Sequence, residues 1–112
     1  MSATTSNPAA NQPTPPLLDL DQVLFAVSDK TRWRILQKLS AAGEPLMVTE
    51  IAEAIGRKPS LTAKHLAILR KAGITRIGRG RLQQIVPQLV PDPAEQVLDL
   101  GYVQLRLGME ES

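Results

Sequence analysis

The sequence predicts a mainly α-helical domain with a small β wing: a winged helix-turn-helix, dimeric, with a C-terminal strand or short helix. Two short amphipathic segments, near residues 49–55 and 59–72, are separated by about three residues, the spacing of a helix-turn-helix. Two strand-like runs then flank Gly78-Arg79-Gly80-Arg81, where glycine suits a tight hairpin. The chain has 112 residues, 43% of them hydrophobic and 21% charged, which fits one domain with one modest core.

Three regions are expected. Residues 1–16 carry no charge and hold four of the nine prolines, so they cannot bury a core and read as a disordered tail. Residues 17–86 hold the winged helix-turn-helix, and residues 87–112 form an extension that adds to the core or to a dimer contact. Roughly ninety residues suffice for a helical domain, and a subunit contact would add burial.

The elements follow in order. Asp19 or Asp21 caps a first helix running to about Val27, with Leu20, Val23, Leu24 and Val27 on one face. Ser28 or Asp29 caps a second, from about Lys30 to Ala42, ended by Gly43 and anchored in the core by Trp33. After Glu44-Pro45, Leu46 to Val48 reads as extended, and Thr49 caps a third helix that buries Ile51, Ala52 and Ile55 before Gly56 stops it. Pro59 suits the first turn of the fourth helix, whose Thr62, Leu66 and Leu69 share a stripe and which Gly73 ends. Ile74 to Ile77 and Leu82 to Val86 form the wing, with both intervening glycines expected at positive φ. Two readings compete beyond Pro87. Asp92-Pro93-Ala94-Glu95 has the pattern of a capped helix start, whereas the alternation of Val103, Leu105 and Leu107 favours one strand over about 97–107.

Charge placement narrows the function. The formal net charge is only +2, but Arg57, Lys58, Lys64, Arg70, Lys71, Arg76, Arg79 and Arg81 follow one another with no acid among them. All eleven Asp and Glu lie outside that window, so the chain divides into a +8 segment and a remainder of −6. A solvated face is the ordinary explanation of charge; clearing every acid from the helix and wing favours a polyanion-binding surface. The expected contacts are Arg57 and Lys58 before the fourth helix, Ser60, Ala63, Lys64, Ala67 and Lys71 on its face opposite the apolar stripe, and Arg76, Arg79 and Arg81 in the wing. Arg70, Arg32 and Arg34 rank behind them. The groove-facing set contains no Asn, Gln or Arg, so bidentate base readout is expected to be weak.

Other chemistry finds little support. There is no cysteine, hence no disulfide, thiolate metal site or cysteine nucleophile, and a cytoplasmic location without membrane insertion is expected. The single histidine, His65, falls beside the apolar stripe and reads as a partly buried structural residue rather than a base or sensor. The Gly-Arg-Gly-Arg run lacks the spacing of a phosphate-cradling loop. No enzymatic activity, cofactor or metal is expected.

Ser28-Asp29-Lys30-Thr31-Arg32-Trp33-Arg34-Ile35-Leu36, then Thr49-Glu50-Ile51-Ala52 and Thr62 to Ile74, resemble ArsR-type winged-helix transcription regulators over Leu24 to Val86. The resemblance implies a symmetric homodimer that places the fourth helix in the major groove of double-stranded DNA and the wing against the adjacent backbone. Metal sensors of that family carry a thiolate pair near the third helix, where this chain reads Leu46-Met47-Val48-Thr49-Glu50. Leu20, Val23, Leu24, Val103, Leu105 and Leu107 are the expected dimer contacts, although a strand at the C-terminus departs from the long helix common in such dimers. Two further readings stay open: a low-specificity architectural DNA binder, and a winged-helix adaptor that meets an acidic protein.

Overall fold

The computed structural model describes residues 18–108, so the tail expected at 1–16 lies outside the described residues. Four helices come first, and two antiparallel hairpins follow them. Asp19 accepts the Gln22 backbone N–H at 3.0 Å and starts α1 (Leu20–Val27); Asp29 accepts that of Arg32 at 3.0 Å and starts α2 (Lys30–Ala42). Each carboxylate satisfies one of the N–H groups that a helix start leaves unpaired.

The third helix begins earlier than the sequence suggests. Met47, not Thr49, is the N-cap of α3 (Val48–Ile55), because the Glu50 carboxylate reaches back to the Met47 N–H at 2.8 Å. Gly56, at φ 71°, ends α3 in the left-handed conformation that glycine adopts at least cost, and three residues later α4 (Pro59–Lys71) starts on Pro59. That turn sets the helix-turn-helix.

The wing pairs β1 (Thr75–Ile77) with β2 (Gln83–Ile85), Thr75 opposite Ile85 and Ile77 opposite Gln83. The extended piece before α3 joins it, since Leu46 and Gln83 exchange two backbone hydrogen bonds at 2.9 and 2.7 Å. At the tip only Gly80 of the two glycines has positive φ, at 66°. Gly78 is extended at φ −103°, and Arg81 takes the second left-handed position at φ 64°. A side chain there costs roughly 1 kcal/mol, which the closing Gly78 N–H to Leu82 carbonyl bond at 2.7 Å helps to offset.

The single strand expected over 97–107 is a hairpin, β3 (Val97–Asp99) against β4 (Gln104–Arg106). Asp99 breaks the run by accepting the Gly101 N–H at 2.9 Å, an Asx turn completed by Gly101 at φ 89°. The capped start at Asp92 does form, its side chain accepting from Ala94 N–H at 3.0 Å, but it supports only one 3₁₀ turn, Pro93–Glu95.

One core joins all these elements. Ile35, Leu36 and Leu39 of α2 meet Ile51 of α3, Leu66 and Leu69 of α4, Ile74 and Ile85 of the wing, and Leu98, Leu100 and Leu107 of the C-terminal hairpin. Trp33 is only half-buried at the edge, so the core is anchored by Ile35 and Leu36, not by the indole. Val23 and Leu107, expected at a dimer contact, also lie in the core and offer no surface to a partner.

Because Leu98 is fully buried, the C-terminal hairpin belongs to the cooperative unit. Leu98→Ala is expected to lower unfolding stability by about 2–5 kcal/mol in urea titration, with a single transition. A separate early transition of the C-terminal residues would contradict this.

Candidate nucleic-acid interface

Helix α4 carries half of the expected contacts, and its buried stripe determines which side faces water. Thr62, Leu66 and Leu69 are buried, Thr62 donating its hydroxyl to the Lys58 carbonyl at 3.0 Å, so Ser60, Ala63, Lys64, Ala67 and Lys71 stand exposed on the other sides. No side chain caps the α4 N-terminus, unlike those of α1 and α2, and its first N–H groups remain open to an anion. Arg57 and Lys58 occupy the turn in front of it, both exposed.

The wing supplies the rest. Arg76 on β1 is held along the hairpin by a bond from its Nε to Gln84 Oε1 at 2.9 Å, and Arg79 and Arg81 form the exposed tip. All ten residues expected at the interface are thus solvent-exposed on the turn, α4 and the wing. Sequence reasoning passed over Leu61, which is 42% exposed on α4, and ranked behind the other contacts Arg70, which is exposed on the side of α4 next to the wing. Neither interrupts the heptad-like stripe, and nothing in the spacing separates them from ordinary surface positions.

The position of α4 depends on Arg32, which is 5% exposed. Its Nε donates to the Ala26 carbonyl at 2.7 Å, one terminal nitrogen donates to the Phe25 carbonyl at 3.0 Å, and the other lies 3.1 Å from His65 Nδ1 on α4. The guanidinium also sits 4.9 Å from the centre of the Phe25 ring. A guanidinium only donates, so Nδ1 accepts and the neutral His65 ring carries its proton on Nε2. Arg32 is therefore spent inside the fold and is not a phosphate contact, whereas Arg34 is exposed on α2. Asp29 completes the group, its carboxylate 3.9 Å from His65 Nδ1. The Arg32 backbone N–H, and then the Arg32 guanidinium charge, hold the Asp29 carboxyl below the usual carboxylate range against the opposing effect of burial.

Residues 29–76, from Asp29 at the head of α2 to Arg76 in the wing, match the family model described as bacterial regulatory protein, arsR family. This segment is similar to the regulatory domain of that family. Comparison with curated proteins and with solved structures finds no match. The matched segment ends inside β1, so the second wing strand and the C-terminal hairpin lie beyond what the match covers. The Asp29–Arg32–His65 group lies within the matched residues. No described helix is long and apolar enough to cross a membrane.

Asp29→Ala is expected to cost about 1 kcal/mol at neutral pH through loss of the α2 cap. A carboxylate with a lowered folded pKa contributes its full stability above its unfolded value and loses it as pH falls through the folded one. The gap between wild type and variant should therefore close in acid, as measured by urea midpoints across pH; a gap that widens in acid would contradict the assignment.

Proposed function

We propose that this chain is a DNA-binding transcription regulator that acts as a homodimer, lays α4 in the major groove and sets the basic wing tip on the neighbouring backbone. The observation that carries the reading is the coincidence of charge and exposure. The eight cations from Arg57 to Arg81 are exposed, no acid lies among them, and they occupy the turn, α4 and the wing. Arg57, Lys58, Arg79 and Arg81 serve phosphates, as do the open N–H groups of α4. Lys64 faces a guanine, while Ala63, Ala67 and the exposed Leu61 suit thymine methyl groups. With no Asn, Gln or Arg among the expected groove-facing residues of α4, base readout is weak and backbone charge supplies most of the affinity.

Two-fold symmetry supplies what a single helix lacks in specificity, since half-sites about 34 Å apart must both fit. The proposed contact uses the exposed apolar face of α1, Leu20 and Leu24, with Val103 and half-buried Leu105 of the C-terminal hairpin. Tyr102 joins these two segments, its hydroxyl donating to the Leu18 carbonyl at 2.8 Å. The regulation does not run through a thiolate metal site, because the chain has no cysteine.

If about five cations per subunit neutralise phosphates, a dimer gives a log–log salt slope near −9. Fluorescence anisotropy on a duplex of about thirty base pairs should show this slope, and Arg79→Ala/Arg81→Ala should flatten it toward about −5 with the fold intact. Absence of binding at low salt would refute the DNA reading and favour an acidic protein partner. In sedimentation, Leu24→Glu/Val103→Glu should convert a dimer to monomers and halve the slope; an unchanged mass would refute the proposed contact.

A further inference from the structure

A crevice of about 300 Å³ lies between the helix-turn-helix and the wing. Its walls combine Ala63 and Arg81, which the DNA reading uses, with features that it does not. Met47 and Ile77 are about half exposed although large and apolar, and with Val48 they give the crevice a mostly apolar lining inside a strongly basic region. Arg70 and Arg81 stand at the same crevice, and neither guanidinium has a hydrogen-bond or ion-pair partner among the described residues. Gln83 also lines it and is 4% exposed, yet its Oε1 has no hydrogen-bond partner. An orphaned buried acceptor is costly, and a bound donor would remove that penalty.

We propose that this crevice is a binding site for a small hydroxylated apolar carboxylate, which acts as an effector that excludes DNA. The ring or short hydrocarbon body packs on Met47, Val48 and Ile77, where it removes apolar surface from water. The carboxylate meets Arg70 and Arg81 in the forked geometry that guanidinium groups offer, and the hydroxyl donates to Gln83 Oε1. A neutral apolar molecule leaves both cations unmatched, and an inorganic anion leaves the apolar wall wet; the amphipathic anion satisfies all three walls. Competition with DNA rests on the proposed function, through Arg81, which cannot hold a ligand carboxylate and a phosphate in the same way at once.

The first test needs no DNA. 4-Hydroxybenzoate is titrated into the full chain carrying labelled methyl groups and amides, and NMR shifts are followed. Saturable shifts centred on the Met47, Val48 and Ile77 methyls and on the Gln83 side-chain amide are expected. Gln83→Leu should weaken 4-hydroxybenzoate about tenfold and leave benzoate, which lacks the donor, unchanged. Met47→Asp, at an exposed position, should weaken both through repulsion of the carboxylate. Shifts centred elsewhere, no saturable shift at about 10 mM, or equal loss of both ligands in Gln83→Leu would overturn the site.

The second test adds a duplex to the same samples. Release of 4-hydroxybenzoate as the duplex binds supports exclusion. If the ligand occupies the crevice and the duplex binds beside it without loss of affinity, exclusion is overturned while the ligand site stands. If the ligand binds and no duplex does at low salt, the DNA reading fails and the ligand site again stands.

Discussion

A single buried guanidinium governs how the helices meet. Arg32 leaves α2, closes the C-terminal end of α1 through the Phe25 and Ala26 carbonyls, and reaches His65 on α4. The last carbonyls of a helix have no intrahelical donors, and a positive charge there also opposes the negative end of the helix dipole. Helix α1 has no basic residue in its own last turn, so the cation comes from the next helix. Removing the side chain would leave the buried Ala26 carbonyl without this donor and α4 without its tie through His65, a larger loss than the pairwise bonds alone suggest. The helix that carries the proposed interface is thus oriented by a residue absent from that interface.

The helices were legible in the sequence because their signals are local. Asp19 and Asp29 cap α1 and α2 as short-range rules require, and the Thr62, Leu66 and Leu69 stripe is buried as its spacing predicts. Misreadings occur where a tertiary contact competes with a local preference. Thr49 is a good cap by composition, but pairing of Leu46 with Gln83 brings the chain into the helix earlier, and Glu50 can then reach Met47. Trp33 is the natural anchor by size, yet aliphatic Ile35 and Leu36 fill the centre, where three helices converge. Beyond Pro87 an alternating pattern concealed a turn, because Asp99 and Gly101 encode it through a side-chain hydrogen bond and a positive φ rather than through polarity.

The candidate interface was legible for a different reason. Long cations and small residues on a helix opposite an apolar stripe must face water, so their exposure followed once the stripe was known. The roles of Arg32 and Gln83 could not be read in this way. Both are polar residues in segments that look exposed, and only folding brings the α1 carbonyls to one and a crevice to the other.

The wing tip shows how the proposed chemistry bears on the fold. A glycine at position 81 would relieve the left-handed backbone, so the arginine there opposes local conformational preference. Its side chain has no partner among the described residues that would repay this strain within the monomer. The Gly78–Leu82 bond that closes the hairpin offsets part of this strain, and under the proposed function the guanidinium's contacts outside the fold supply the rest. A phosphate and a ligand carboxylate make the same demand of it, a planar donor pair held near α4, and Arg81 is placed where either would engage it. That shared demand makes mutual exclusion, rather than a transmitted conformational change, the simplest physical form of regulation for so small a domain.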